Sequence, residues 1–352
     1  MKPYLDLWTC RKLGVKKLTR ESLEDWQLSR IRETFQWAVG RSPFYAELYQ
    51  GMKVDTWEDF RQLPFTSPED VCACGLEMVC VSQSQISRIV TMQTSGTTGL
   101  PKRIYFTQDD QELTTDFFHN GMQLMADASD TVMILMPCRR PGSIGDLLKR
   151  GVERFGAKVV AYGLPDGSDY GRILQIMEES GVTCAVALPG HMAELAKRAE
   201  AGNYQIPLRT VLLSADYVSA ESRHRIRNAW DCRIFEHYGM TEMGLGCAVS
   251  CPALEGCHIR EADLYLEIID PKTGEVLPDG QEGEIVFTTL TRRGMPFLRY
   301  RTGDRSRFLT EPCVCGSILK RISRVGDRQM AKGQWRENHP HVKEMAGVYQ
   351  QS

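Results

Sequence analysis

The chain has 352 residues, 42% of them hydrophobic and 25% charged, a balance ordinary for a folded globular protein larger than one average domain. Its 43 basic and 45 acidic side chains leave a net charge of −2, which argues against nucleic acid or anionic lipid as a general electrostatic partner and for specific small-molecule binding. Apolar runs such as Val132 to Met136 are too short to span a bilayer and the N-terminus lacks a signal peptide's apolar segment, so a cytoplasmic protein with no membrane partner is expected.

Leu28, Ile31, Phe35 and Ala38 recur at helical spacing, and Ser42 before Pro43 offers a cap and a first-turn proline for a second helix. Ser67-Pro68 repeats the device, so residues 1–85 read as a helical segment packed on the rest of the chain. The β-prone run Arg88 to Met92 then leads into Thr94-Ser95-Gly96-Thr97-Thr98-Gly99-Leu100-Pro101-Lys102. Glycines let a backbone approach a ligand closely, while successive N–H groups and hydroxyls converge on phosphate oxygens, so this stretch is expected to hold an anion. It differs from the ordinary Gly-x-x-x-x-Gly-Lys-Ser/Thr loop, because only two residues separate Gly96 from Gly99. Thr107 with Asp110 is a capping-box pattern that predicts a helix immediately downstream.

From Thr131 to Tyr238 short apolar runs alternate with amphipathic stretches, predicting strands near 131–136, 158–162, 184–188, 210–214 and 233–237 with helices between them. In such open parallel sheets ligands sit beyond the carboxyl ends of the strands. The loops at Pro189-Gly190, Ser214-Ala215-Asp216 and Tyr238-Gly239 all occupy that position. After Gly256 the pattern turns β-rich, with runs at Leu264 to Ile269 and Gly283 to Thr289 that suggest a smaller antiparallel or barrel-like part with Asp304 at its edge.

Three stretches, in this order, resemble one family. Thr94 to Lys102, Tyr238-Gly239-Met240-Thr241-Glu242 and Tyr300-Arg301-Thr302-Gly303-Asp304 are similar to motifs of the adenylate-forming superfamily, the acyl-coenzyme A synthetases, luciferases and peptide-synthetase adenylation domains. Ser42-Pro43-Phe44-Tyr45 and Leu63-Pro64-Phe65-Thr66 narrow the resemblance to the phenylacetate-coenzyme A ligase-like branch. The resemblance implies an α/β fold, the large N-terminal domain of adenylate-forming enzymes, with βαβ sheets, flanking helices and a β-rich part at 256–325, all within an adenylation domain of residues 1–325. It implies activation of a carboxylic acid, aryl or another small organic acid, by ATP and magnesium, with coenzyme A as a thiol co-substrate; the alternative is a nucleotide-binding member without turnover.

By the same resemblance Thr94, Ser95, Gly96, Thr97, Thr98, Gly99 and Lys102 hold the β- and γ-phosphates, Thr241 meets the α-phosphate, and Glu242 coordinates magnesium, a hard cation suited to a carboxylate. Asp304 takes the two ribose hydroxyls, Tyr238 and Gly239 flank adenine, and Ser214-Ala215-Asp216 stands where relatives have Gly-Ala/Gly-Glu beside the purine. His237 and His191 are candidates to reach an acyl pocket, against the commoner reading of a lone histidine as a satisfied surface or core residue. Phe117, Phe118 and Met122 have the spacing of core positions on a helix.

Twelve cysteines without a secretory signal suggest free thiols and one metal site, not a disulfide framework. Cys251, His258, Cys313 and Cys315 offer the three thiolates and one imidazole that tetrahedral zinc favours, and four protein ligands would make the site structural. Cys257 competes for a ligand role, and Cys72-Ala73-Cys74-Gly75 imitates the Cys-x-Cys-Gly half. Relatives continue into a small mobile domain that brings a lysine over the α-phosphate. Arg321 to Arg328 resembles the approach to that hinge in shortened form, and residues 326–352 are expected to be a truncated tail in which Lys332 and Lys343 are the available lysines. The corresponding expectation is slow adenylation by the chain alone, with a homodimer or a partner supplying the lid.

Overall fold

The structure, a computed structural model, describes residues 3–92 and 101–325. The chain opens with helices α1 (Tyr4–Leu13), α2 (Arg20–Val39), α3 (Pro43–Leu48), α4 (Trp57–Arg61) and α5 (Pro68–Cys74), followed by β1 (Ile86–Met92), β2 (Lys102–Thr107) and α6 (Gln108–Met122). The caps are those the sequence predicts. Ser42 accepts from Tyr45 N with Pro43 in the first turn, and Ser67 with Asp70 and Thr107 with Asp110 close capping boxes, each satisfying two otherwise orphaned backbone donors. One detail differs. The helix at Thr107 is separated from the expected phosphate loop by β2, which pairs antiparallel with β1 from Ile86↔Thr107 to Met92↔Lys102. Ile104, Tyr105 and Phe106 are the branched and aromatic side chains that favour a strand there. Thr94, Ser95, Gly96, Thr97, Thr98 and Gly99, like the tail from 326, lie outside the described residues.

The middle of the chain runs β3 (Thr131–Leu135), α7 (Ile144–Glu153), β4 (Lys158–Ala161), α8 (Tyr170–Glu179), β5 (Cys184–Ala187), α9 (Pro189–Ala201), β6 (Thr210–Leu213), α10 (Ala220–Trp230) and β7 (Arg233–Tyr238). These five strands pair in parallel. Alternation along each strand feeds two cores: Val132, Ile134, Cys184, Val186, Leu212 and Phe235 pack with α6 and α7, while Met133, Leu135, Ala185, Ala187, Val211, Leu213 and Ile234 pack with α8, α9 and α10. A sheet covered on both faces has no polar face to offer, which is why its strands read as continuous apolar runs.

The last third contains β8 (Ala248–Val249), β9 (Cys257–Ile259), β10 (Leu264–Ile269), β11 (Gly283–Thr289), β12 (Tyr300–Ser306) and β13 (Arg321–Ile322). β8, β9 and β13 extend the parallel sheet with antiparallel pairs, giving the order β13-β9-β8-β7-β6-β5-β3-β4. The β-rich part takes the antiparallel form, a three-stranded sheet β10-β11-β12 with Asp304 on edge strand β12. The N-terminal helices pack on this half: Lys12 Nζ donates to Asp263 Oδ1 at 2.7 Å and Trp26 Nε1 to Ala262 O at 2.9 Å. Among the described residues no helix is long and apolar enough to cross a membrane.

Candidate active site

Beyond the carboxyl ends of β6 and β7 lies a cavity of about 210 Å³, the position at which open α/β sheets bind ligands. Its wall brings together residues distant in sequence: Ala215 and Asp216 after β6, Tyr238, Gly239, Thr241 and Glu242 at and after the end of β7, Lys102 at the start of β2, and Asp304 on β12. Ala215 holds a left-handed backbone, φ 69°, a conformation unfavourable for a residue with a Cβ and concentrated at functional loops. Ser214 is buried just behind the wall, its Oγ 2.9 Å from His237 Nδ1.

Tyr238 donates its hydroxyl to Asp304 Oδ2 at 2.8 Å. Burial and the facing carboxylate push the Tyr238 pKa far up, so the phenol stays a donor. This bond sets a flat ring beside an acceptor-only carboxylate, the pair of surfaces that a base and its ribose hydroxyls require. Glu242 is 1% exposed; it forms an ion pair with Lys102, and Tyr300 donates to its Oε1 at 3.2 Å. Burial alone raises the Glu242 pKa, but Lys102 and the hydrogen bonds outweigh it and hold the carboxyl below its ordinary value. Lys102, expected among the phosphate donors, is thus met by the carboxylate expected to hold magnesium. An ionised carboxylate and a lysine at one wall of the cavity fit the metal-bound phosphates of ATP.

The Cys251, His258, Cys313 and Cys315 ligand atoms lie within 4.8 Å of one another. Cys251 Sγ is 3.6 Å from Cys313 Sγ and Cys315 Sγ is 3.4 Å from His258 Nε2, close to the roughly 3.7 Å edge of a tetrahedron with zinc–sulfur bonds of about 2.3 Å. His258 Nδ1 lies 3.1 Å from Leu319 O, so a proton held there fixes the ring and leaves Nε2 to face the thiols. These residues fit zinc. Cys257 stands apart, with Sγ 3.5 Å from Glu236 O, and neither Cys72 nor Cys74 joins the cluster.

Of the two candidate histidines, His237 lines the cavity and is lowered to about 4 by burial and the nearby Arg260, which keeps it neutral. His191 instead sits 2.7 Å from the Tyr170 hydroxyl, outside the cavity wall. Phe117, Phe118 and Met122 are core residues. Sequence reasoning missed Glu236, a cavity residue that forms ion pairs with Arg223 and, at 3.0 Å, with Arg324. The signal available was its place two residues before Tyr238, on the same side of the strand.

A parallel sheet with a cavity at its carboxyl edge and a carboxylate–lysine pair in the wall is the arrangement of a ligand-binding α/β protein. The chain matches the AMP-binding enzyme family over residues 33–291 and belongs to it, in the phenylacetate-coenzyme A ligase-like branch of the adenylate-forming enzymes. It is 28% identical over 322 residues to a phenylacetate-coenzyme A ligase of Thermus thermophilus, covering 88% of this chain and 71% of that protein. It is 30% identical over 302 residues to one of Pseudomonas putida, covering 82% and 67%. Among solved structures, 2-hydroxyisobutyryl-CoA ligase in the thioesterification state superimposes with a TM-score of 0.79 over 87% of this chain and 68% of that one, at 21% identity.

Proposed function

We propose that the chain uses ATP and magnesium to activate an aryl or other small organic acid as its acyl-adenylate, and then passes the acyl group to coenzyme A. In the first step a carboxylate oxygen attacks the α-phosphorus and the bond to pyrophosphate breaks; in the second a thiolate attacks the acyl carbon and AMP leaves. The observation that carries this reading is the Tyr238–Asp304 hydrogen bond at 2.8 Å in the same cavity as Thr241, Glu242 and Lys102. Asp304 receives the ribose hydroxyls, Tyr238 and the Ser214-Ala215-Asp216 loop flank the base, Thr241 faces the α-phosphate, and Glu242 holds the magnesium that offsets charge on the phosphoryl oxygens. Lys102, with Thr94, Ser95, Gly96, Thr97, Thr98 and Gly99, receives the outer phosphates. Positioning and charge stabilisation of this kind supply most of the rate in such a displacement.

Acid-dependent exchange of pyrophosphate into ATP, measured over a panel of aromatic and aliphatic acids, tests the first step. Exchange with at least one acid is expected; tight ATP binding with exchange from none points to a nucleotide-binding protein without turnover. The four-ligand cluster is read as one structural zinc per chain, supported by ligand atoms within 4.8 Å. Metal analysis checks it: about one zinc per chain is expected, and an active, well-folded chain free of zinc contradicts it.

A further inference from the structure

We infer that Arg88, Arg139 and Arg140, which lie outside the residues lining the cavity, form an anion subsite that takes the phosphates of coenzyme A; this rests on the reading that coenzyme A is the thiol acceptor. The loop after β3 is held in one shape. Gly142 adopts φ 74° and its N–H donates to Asp146 Oδ2 at 2.8 Å, while Ser143 Oγ donates to Arg140 O at 2.6 Å. That turn leaves Arg139 and Arg140 exposed.

Arg88, on β1, reaches the same loop: its Cδ lies 3.5 Å from where a Cβ on Gly142 would stand. The Arg88 side chain is half-buried and its Nε is enclosed with no hydrogen-bond partner. Burial first, then the charge of Arg140, push the Arg88 pKa down, with Asp146 pulling the other way. Asp146 is itself bonded to Arg150 at 2.7 Å, and Lys149 stands on the same helix, so the local balance is strongly positive in a chain whose net charge is −2. Among the described residues, none of the three arginines forms an ion pair with a carboxylate. Gathering like charges without partners costs free energy, and a phosphate, which guanidinium groups bind through paired hydrogen bonds, relieves it.

Placement selects the ligand. The loop leaves the carboxyl end of β3, on the same edge of the sheet as the cavity behind β6 and β7. Arg88 lies four residues before Met92, which lines the cavity, a span of roughly 14 Å along a strand. Coenzyme A carries its thiol at one end of a pantetheine arm and its phosphates at the other, so a thiol in the cavity leaves phosphates to be held outside it, at a distance such as this.

The test compares the unaltered chain with Arg88→Ala/Arg140→Ala and with the surface variant Arg140→Glu, using titration calorimetry with coenzyme A, 3′-dephospho-coenzyme A and adenosine 3′,5′-bisphosphate. Pyrophosphate exchange, which involves no thiol, gives the Michaelis constant for the acid. Coenzyme A and the bisphosphate are expected to bind about tenfold or more weakly to both variants, the scale of losing a charge-assisted hydrogen bond, with a smaller change for the dephospho form. Unchanged affinities in both variants overturn the subsite and leave the acceptor reading intact. A loss that appears in the Michaelis constant for the acid assigns the anion to the acid and also overturns it. No binding of coenzyme A by the unaltered chain overturns both.

Discussion

Replacing Glu242 with Gln removes the carboxylate that is ion-paired with the Lys102 ammonium, which is 6% exposed. Removing one partner of a buried ion pair typically costs about 3–5 kcal/mol, so the midpoint of urea unfolding is expected to fall by that equivalent. The sign with pH comes from the depressed carboxyl. Its contribution is fully present above the ordinary glutamate value of about 4.3 and is lost as pH falls from there through the lower folded value; the Gln variant lacks that part of the acid-side slope. Asp304→Ala is expected to weaken ATP binding by about tenfold or more, while Tyr238→Phe, which removes only the hydroxyl bonded to Asp304, costs less, as equilibrium titration of each variant checks. The motif residues were legible in the sequence because each cluster is local. The Lys102–Glu242 and Glu236–Arg324 pairs were not, since they join residues far apart in sequence that only the tertiary fold brings together and no spacing rule relates them.

At the level of elements, the five parallel strands and the capped helices could be read from apolar runs and cap residues, since a strand buried on both faces and a capping box are each written in adjacent residues. β2 was not, because the capping box at Thr107 drew the helix toward the loop and masked the strand in front of it. Gly239, expected beside adenine, has a structural duty as well: a Cβ there would lie 2.7 Å from the Gly246 Cα and 2.9 Å from Leu245 O, so two backbone segments meet at this point. Gly239→Ala is therefore expected to lower thermal stability as well as nucleotide affinity, whereas a residue serving the ligand alone would change only the affinity. Of the four residues proposed to hold zinc, His258 lies in a strand pair in which Arg321 faces His258 and Ile322 faces Cys257. Ile322 and Cys257 also line the cavity. Metal removal by a chelator is expected to speed amide exchange across 257–259 and 321–322 and to weaken ATP binding, because metal binding to a folded site is folding free energy; unaltered exchange rates there would argue against the metal.

Across the whole molecule, the helical N-terminal segment, the parallel sheet and the antiparallel sheet meet at one cavity, and each supplies part of its wall. Pro68 comes from α5, Tyr238 from the end of β7 and Asp304 from β12. Thr66 bridges to Tyr300, and Tyr300 in turn donates to Glu242, so the packing of the first helices is tied to the carboxylate in the cavity wall. This convergence was foreshadowed by three motifs in order; which acid fits was not, because a pocket wall of residues such as His237 and Leu213 carries no pattern that spacing reveals. Whether the cavity activates an acid is decided by acid-dependent incorporation of labelled pyrophosphate into ATP, run on the unaltered chain and on Asp304→Ala. Exchange is expected with at least one aryl or small organic acid, dependent on magnesium and strongly reduced in the variant. Exchange that is absent for every acid despite tight ATP binding, or that is undiminished by Asp304→Ala, would contradict the assignment of this cavity as an adenylation site.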